Sequence, residues 1–455
     1  MQQSRIPIRI SLACLLVVAA CSAAPQGTTP SSIGSAAPSL GASPSVSPTT
    51  GPVVTTAPSL ARDAGWQADI AALVPGMDRL HPDLFHGVSK ADLDAAAAAL
   101  AARVPAATDE ELMVGVLGIV AMVSSPATCD GHTGAFIWGT GTYPVDSLPL
   151  RLWLFGDEVV VVAALPPYGD LYAARIDSIE GHPIADVFAA VAPIIPRDNL
   201  QTVRLLAPRF LLIPQVLRGL GLADAGAITL GITDTLGKAA TVDIDPISMS
   251  AYNEWAGPYG LHLPADPAVP YLSRIDDALW WQVLDDGETL IIQNNRTDRL
   301  DSSLLMQARA ALQAPAITRV ILDLRHNFGG ELSAIDPIRD LFVDPAVNRA
   351  GKLFVLIGRN TFSGGSLLVA RLERDTQATF VGEATGGCPT VWADPESFVL
   401  PASGIEVGVS TDRSVGVDPA DGRAILEPDV QAELSREEWA EGIDPALGVI
   451  LPAAP

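Results

Sequence analysis

The chain has 455 residues, of which 48% are hydrophobic and 18% are charged, a balance typical of a globular protein with a large buried core. The formal net charge is −24 at pH 7, and the isoelectric point is about 4.5. This acidic balance argues against nucleic acid and against an anionic membrane surface as partners, because binding to phosphate needs a basic face.

The first 21 residues have the layout of an export signal. A short basic region, MQQSRIPIR, precedes the apolar stretch ISLACLLVVAA, which is too short to span a bilayer. Residues 18–21 (VAAC) resemble the bacterial lipobox, in which the cysteine is lipidated. The sequence therefore predicts a lipoprotein signal peptide over residues 1–21, lipidation at Cys21 and an extracytoplasmic protein that touches the membrane through its lipid anchor alone. An ordinary cleaved signal is the alternative.

A long polar segment follows the signal. Residues 22–61 are rich in Ser, Thr, Pro, Ala and Gly, and no charged residue occurs before Arg62. Such a stretch cannot bury enough apolar surface to offset its ordering entropy. It predicts a disordered linker whose root-mean-square reach is roughly 35 Å.

Helical periodicity begins after this linker and continues over residues 62–146. Three segments carry apolar residues at three- and four-residue spacing. Ser89 and Thr108 are predicted N-caps, and Thr108 has Glu111 three residues later in a capping-box pattern. This predicted helical cap ends with the segment CDGHT, which contains His132.

Residues 147–247 change to the periodicity of strands. The stretch LRLWLFGDEVVVVAAL predicts a hairpin at Gly156, and a further turn is predicted at Gly181. These signals predict a β-rich module with one or two helices.

Strands and helices alternate in the last part of the chain, residues 248–455. Buried strands are predicted at TLIIQN, RVILDL, KLFVLI and QATFVG, and helical patterns separate them. This alternation implies parallel crossover units in an α/β core. The whole chain is therefore predicted to be a multi-domain α/β protein.

Ser363 lies where the strand KLFVLI gives way to an amphipathic helix. An α/β-hydrolase places its histidine after the serine and usually has G-x-S-x-G around it. Here all six histidines precede Ser363, and Thr361 stands two residues before it. A nucleophilic Ser363 would therefore need a base from upstream. His132 is the best candidate because a glycine turn after a buried helix would fix its position; an ordinary turn histidine is the alternative.

Paired glycines follow the strand RVILDL, in the segment RHNFGG with Arg325 and Asn327. Gly329 and Gly330 permit a positive φ and a close approach of backbone to a ligand. Their amides, together with that of Gly364, could hold an oxyanion. An ordinary strand-to-helix turn is the alternative.

No metal site is predicted. His81 and His86 lie five residues apart beside a proline, and H-E-x-x-H does not occur. Histidines on a mostly apolar segment are more often core residues.

Taken together, five motifs resemble the tail-specific, C-terminal-processing serine proteases and their tricorn-like relatives. They are DGHT, LDLRHNFGG, NTFSGGS, FVGEATGG and EPDV…GIDPALGVIL, in this order. The resemblance covers roughly residues 70–452 and implies a crotonase-like α/β core. It also implies that the β-rich module is PDZ-like.

The resemblance also implies roles for individual residues. A serine at the position of Ser363 attacks the peptide carbonyl in this family. One branch pairs it with a lysine 25 residues later, but 363 + 25 = 388 and this position holds Cys388. The sequence thus resembles the tricorn-like branch, in which a histidine matching His132 is the base. Asp421 is the best match for the acid that completes the relay, and Asp412 or Glu383 could replace it.

Once Cys21 is lipidated, Cys129 and Cys388 are the remaining thiols of the mature chain. Cys129 lies three residues before His132, and Cys388 occupies the position of the family lysine next to the nucleophile. We therefore hypothesise a disulfide between them in an oxidising compartment. Two separate buried thiols are the alternative.

The predicted function is an exported, lipid-anchored serine endopeptidase that acts on peptide or protein substrates without a cofactor. A catalytically silent protein that binds a peptide or other ligand on the same scaffold is the alternative, since a fold alone does not establish activity. An esterase would use the same residues. The oligomeric state is left open by the sequence.

Overall fold

A computed structural model of the protein describes residues 60–124, 128–137, 143–257, 261–298 and 300–451. The predicted signal peptide, Cys21 and the linker as far as residue 59 lie outside these residues. Within the described ranges, none of the helices combines the length and the apolar character needed to cross a bilayer.

Helices occur along the whole described part of the chain. They are α1 (Leu60–Leu80), α2 (Lys90–Arg103), α3 (Asp109–Ala121), α4 (Ile184–Val191), α5 (Leu200–Phe210), α6 (Pro214–Gly219), α7 (Met249–Ala256), α8 (Ser302–Leu312), α9 (Ile335–Arg339), α10 (Gly364–Asp375), α11 (Arg436–Glu441) and α12 (Pro445–Ile450).

Strands begin after the third helix and form several sheets. They are β1 (Gly134–Phe136), β2 (Asp146–Ser147), β3 (Leu150–Phe155), β4 (Glu158–Ala164), β5 (Arg175–Ile179), β6 (His182–Pro183), β7 (Ile228–Thr233), β8 (Ala239–Ile244), β9 (Ile247–Ser248), β10 (Leu279–Val283), β11 (Thr289–Asn294), β12 (Arg319–Asp323), β13 (Leu353–Ile357), β14 (Thr379–Gly382), β15 (Thr390–Ala393), β16 (Glu396–Val399), β17 (Glu406–Val409), β18 (Asp412–Val415) and β19 (Val430–Gln431).

The second and third helices begin where their sequences predict. Ser89 caps α2 by accepting from the amide of Asp92, and Thr108 caps α3 in a capping box with Glu111. Both N-cap predictions are confirmed. Helix α1 begins at Leu60, within the last two residues of the predicted linker.

A six-stranded sheet forms the centre of the last part of the chain. Its order is β10-β11-β12-β13-β14-β19, and every pair from β11 to β19 is parallel. Strand β10 alone is antiparallel to its neighbour. The predicted alternation of strands with helices is confirmed. In such a sheet the carboxyl ends of neighbouring strands meet at one edge, and the loops that follow β12 and β13 therefore lie together.

The β-rich module contains a second sheet, in the order β3-β4-β5-β7-β8. The hairpin predicted at Gly156 joins β3 to β4, and Gly181, with φ +77°, forms the turn between β5 and β6. One or two helices were expected in residues 147–247, but α4, α5 and α6 all lie there. The expectation failed because α5 and α6 are short and each contains or begins with proline.

The helical cap and the end of the chain share one hydrophobic core. Strand β1, just after the CDGHT segment, pairs with β17, which also pairs with β16. The buried side chains of β17 pack in the same cluster as those of α3. The chain therefore returns to the cap after β14 and before it adds β19 to the parallel sheet, and this return holds the CDGHT segment beside the sheet.

Candidate active site

Ser363 occupies the sharp turn between β13 and α10. Its backbone has φ +51° and ψ −125°, a region that residues with a side chain rarely adopt. Holding such a conformation costs on the order of 1–3 kcal/mol, and strain of this kind clusters at functional sites. Gly364 and Gly365 follow, and a Cβ on Gly365 would lie 2.5 Å from the carbonyl oxygen of Asn327. The glycine after the turn is required by this close approach.

His132 lies beside this serine. Its Nε2 is 2.9 Å from Ser363 Oγ, although the two residues are 231 positions apart in the sequence. The serine hydroxyl donates to Nε2 when the ring proton is on Nδ1. Burial lowers the pKa of His132, while Asp130, the Trp392 carbonyl and Asp394 partly offset this effect. The imidazole is therefore neutral at pH 7 and can accept a proton from the hydroxyl.

The acids predicted to support His132 do not contact it. Asp421 instead accepts from the guanidinium of Arg423, and Glu383 forms an ion pair with Arg359, 2.6 Å between nitrogen and oxygen. Asp412 is exposed at the start of β18. Within the described residues no side chain bonds to His132 Nδ1, which is buried, and the polar backbone group that faces the ring is the Trp392 carbonyl. The predicted Asp421–His132 contact is thus corrected: a neighbouring arginine holds the carboxylate.

Two of the three glycines proposed for an oxyanion hole present free amides. Among the described residues, no partner is found for the N–H groups of Gly330 and Gly364, and a Cβ on Gly364 would lie 3.3 Å from the nitrogen of Gly330. The amide of Gly329 instead donates to Asn327 Oδ1 at 3.0 Å. The predicted role of Gly329 as an oxyanion donor is therefore wrong. Gly329 is needed for another reason: its φ is +108°, and a Cβ at this position would lie 2.7 Å from the Cβ of Ser363.

The Gly330 loop is held by residues whose role the motifs did not indicate. Asn327 is fully buried, and its Nδ2 donates to Asn294 at the end of β11. Thr297 donates its amide to the Gly329 carbonyl at 2.9 Å, and its buried hydroxyl, beside Gly330, finds no partner among the residues that the structure describes. The sequence could have indicated both Asn327 and Thr297, because each follows a parallel strand of the core, and functional residues concentrate at such positions.

A disulfide fastens the His132 turn to the parallel sheet. Cys129 and Cys388 are joined, with Cα atoms 5.9 Å apart. The amide of Trp392 also donates to the carbonyl of Cys129 at 3.0 Å. Buried Asp198 accepts from the amide of Gly131 at 2.6 Å. Covalent and polar contacts thus fix the histidine relative to the serine.

His81, His86 and Asp130 form the candidate metal cluster of the described residues, with ligand atoms within 4.8 Å of one another. His86 has the donor arrangement of a metal ligand, because its Nδ1 lies 2.7 Å from the carbonyl of Asp83 and its Nε2 is free. His81 does not. The amide of Asp83 donates to His81 Nδ1 at 3.0 Å, so His81 Nε2 carries the ring proton and donates to Asp130. The cluster therefore offers a metal ion two ligands, His86 and Asp130, which is fewer than a protein zinc site uses.

Aromatic rings line one side of the serine. The Phe362 ring lies 4.9 Å from the His132 ring and 5.0 Å from the Phe328 ring, between centroids. Phe328 is 37% exposed. An apolar side chain of a bound molecule can pack on this exposed ring beside the hydroxyl.

The arrangement of sheet, turn and cap has close counterparts among solved structures. Mature CPAF in complex with lactacystin matches with a TM-score of 0.57 and 11% identity, over 85% of this chain and 97% of that chain. Mature CPAF alone matches with a TM-score of 0.55 and 11% identity, over 85% and 96%. The chain shares its fold with mature CPAF. At this level of identity the CPAF likeness establishes the fold alone.

Other comparisons add little. The tricorn protease matches with a TM-score of 0.40 and 14% identity, over 85% of this chain and 36% of that chain, which is too weak to support an argument. No family model and no curated protein matches the sequence significantly.

Proposed function

We propose that the protein is an exported, lipid-anchored serine endopeptidase of the tail-specific protease family, in its tricorn-like branch. Ser363 is the nucleophile, His132 is its general base, and the amides of Gly330 and Gly364 stabilise the oxyanion. The observation that carries this proposal is the 2.9 Å contact between His132 Nε2 and Ser363 Oγ. A hydroxyl that shares its proton with a neutral imidazole is an activated nucleophile.

The proposed reaction has two steps. Ser363 Oγ attacks the peptide carbonyl, its proton passes to His132 Nε2, and the carbonyl oxygen becomes an oxyanion held by the glycine amides. The C–N bond breaks, and the imidazolium protonates the leaving amine. Water then attacks the acyl-enzyme ester with His132 again as base, the ester C–O bond breaks, the imidazolium returns its proton to Ser363 Oγ, and the carboxylic acid is released.

Three structural features support catalysis over a purely structural turn. The strained backbone of Ser363 presents its side chain at the edge of the sheet where β12 and β13 end. The N-terminus of α10 begins at the next residue, so that its positive end faces the same position. A serine that only capped a helix would bond to the first turn, but Ser363 makes no side-chain cap bond.

The β-rich module is proposed to be PDZ-like and to receive a substrate strand or a C-terminal carboxylate. What supports this is its architecture: β3 lies at the edge of the sheet and α5 packs against it. A sheet edge next to a helix can accept an extended peptide as a further strand. The crotonase-like classification of the core is likewise a proposal that rests on the sequence motifs.

The alternative is a binding protein that has lost catalysis. One observation favours it: in the part of the chain that the structure describes, no carboxylate bonds to His132 Nδ1, so that no direct acid fixes the ring. Such a protein would hold a peptide at Phe328 and the free amides without cleaving it.

Peptide profiling tests the proposal. Purified wild-type protein and Ser363→Ala are incubated with a proteome-derived peptide library, and new termini are identified by mass spectrometry. The control is Ser303→Ala, which changes an exposed serine on α8. We expect cleavage by wild type and Ser303→Ala and none by Ser363→Ala. Hydrolysis of an activated ester without any peptide cleavage would indicate an esterase, and no turnover of either substrate class would indicate the binding protein.

A further inference from the structure

The CDGHT turn contains a second carboxylate, Asp130, two residues before His132. Its side chain is completely buried. Oδ1 accepts from the hydroxyls of Thr133 at 2.8 Å and Ser410 at 2.6 Å. Oδ2 accepts from His81 Nε2 at 3.1 Å. Three donors from three parts of the chain thus fix this carboxylate, and with it the turn that carries the base.

The charge of Asp130 is not cancelled by a strong cation. Among the described residues, no lysine or arginine lies within ion-pair distance of it, and the ring nitrogens nearest to it are those of His81 and His86. Hydrogen bonds from hydroxyls and a histidine stabilise an ionised carboxylate without removing its charge. Its field therefore reaches the neighbouring imidazole through a poorly solvated interior.

The other acids near His132 stabilise a positive charge on its ring less than Asp130 does. Asp394, after β15, also faces His132 but is exposed, so that water screens it. Asp198 accepts from the amide of Gly131, and burial raises its pKa to about 7. Asp421 is neutralised by Arg423. Asp130 is thus the buried acid best placed to support a positive charge on His132.

We propose that Asp130 is the positioning residue of the base, which fixes the His132 turn and stabilises its imidazolium through space, in place of the direct acid predicted at Asp421. His81 contributes by fixing Oδ2. This inference rests on the proposed role of His132, but it concerns a property of the imidazole that can be measured without substrate.

The direct test is NMR titration of the full chain with ¹³C-labelled histidine, in which His132→Gln identifies the His132 signal. Asp130→Asn removes the charge, and Asp421→Asn is the matched control. We expect the pKa of His132 to fall in Asp130→Asn and to stay unchanged in Asp421→Asn. If Asp421→Asn alone lowers it, or if neither variant does, the proposal is overturned.

Kinetics separate this inference from the proposed function. A loss of imidazolium stabilisation should lower kcat/KM by up to about tenfold for each pKa unit lost and move its acidic limb to lower pH. If the protein cleaves no substrate, the proposed function fails, whereas the titration still decides whether Asp130 supports His132.

A second pair of variants covers the case in which Asp130→Asn does not fold. His81→Gln keeps an N–H donor for Oδ2, whereas His81→Leu removes it at similar volume. We expect the pKa of His132 to be close to that of wild type in His81→Gln and lower than that of wild type in His81→Leu. Equal titration curves in the two variants would contradict the role of the His81–Asp130 contact.

Discussion

Cys129 and Cys388, which are 259 residues apart in the chain, are joined in a disulfide three residues before His132 and one residue after Gly387. A Cβ on Gly387 would lie 3.0 Å from the nitrogen of Ser363. The bridge therefore links the turn of the base to the backbone next to the nucleophile.

Removal of this bridge is expected to weaken both stability and activity. The double variant Cys129→Ala/Cys388→Ala should lose about 2–5 kcal/mol of unfolding free energy, because the unfolded chain gains freedom. The His132 turn should also become less well fixed, and kcat should fall more than KM rises. Urea unfolding and steady-state kinetics measure the two effects. Dithiothreitol should lower the activity of wild type and leave the double variant unchanged; equal sensitivity of both would contradict a role of the bridge.

The variant Gly329→Ala tests whether catalysis needs the free space next to the side chain of Ser363. Gly329→Ala places a Cβ 2.7 Å from the Cβ of Ser363, in a backbone with φ +108°. Gly351→Ala is the matched control, because φ is +74° there but no atom lies within 4 Å of the added Cβ. Gly351→Ala should lose about 1 kcal/mol of stability from the backbone conformation. Gly329→Ala should lose more, because its Cβ also comes too close to the Cβ of Ser363. Only Gly329→Ala should lose turnover, by tenfold or more as an order-of-magnitude estimate from misplaced reacting groups.

Kinetics at matched folded fractions measure this difference. If the two glycine variants keep equal turnover, the packing of Gly329 against Ser363 has no catalytic consequence.

Phe328 is expected to select substrates. Its ring is 37% exposed and stacks on Phe362, which in turn contacts His132. Phe328→Ala removes apolar surface worth roughly 1–2 kcal/mol of binding to a side chain that packs on it. We expect kcat/KM to fall about 5- to 30-fold for substrates with an apolar residue near the scissile bond and to change little for polar ones. The exposed Leu236→Ala should change neither class, and a uniform loss in Phe328→Ala would argue against a selective role.

Asp198 should make stability depend on pH. Burial raises its pKa to about 7 from an ordinary value of 3.8. Between these values the folded state holds a proton that the unfolded chain has released, so that the contribution of Asp198 to stability is lost as the pH rises through about 7. Asp198→Asn imitates the protonated form. As the pH rises from 3.8 to about 7, its unfolding free energy should gain on that of wild type by roughly 1.4 kcal/mol per pH unit.

Urea unfolding at pH 5 and pH 8 measures that difference for Asp198→Asn, with the exposed Asp412→Asn as control. A difference between Asp198→Asn and wild type that is equal at the two pH values would contradict the raised pKa.

Patterns that are local in the chain allowed much of the fold to be predicted. The parallel strands β11 to β14 are continuous apolar runs between helical patterns, and Ser89 and Thr108 have side chains that cap helices by themselves. The order of histidines and serine excluded an α/β-hydrolase. It also pointed to His132, because a base upstream of Ser363 had to come from a turn fixed by buried structure.

Contacts that depend on tertiary packing could not be predicted. Asp421 has the right position in the chain, but Arg423, two residues away, pairs with it. Nothing in the sequence distinguishes the amide of Gly329 from that of Gly330. In the structure the side chain of Asn327 accepts from the Gly329 amide, so that the Gly330 amide is the free one. The burial of Asp130 results from the return of the chain through β17 to the cap, which brings Ser410 to the CDGHT turn.

The central claim is that His132 activates Ser363, and mapping of a fluorophosphonate adduct tests it most directly. Wild type and His132→Gln are labelled at pH 7.5, digested and analysed by mass spectrometry. We predict one adduct, on Ser363 in wild type, formed about 100-fold or more slowly in His132→Gln because the general base is absent. An adduct on another residue, no adduct in folded wild type, or equal labelling rates in both proteins would contradict the account.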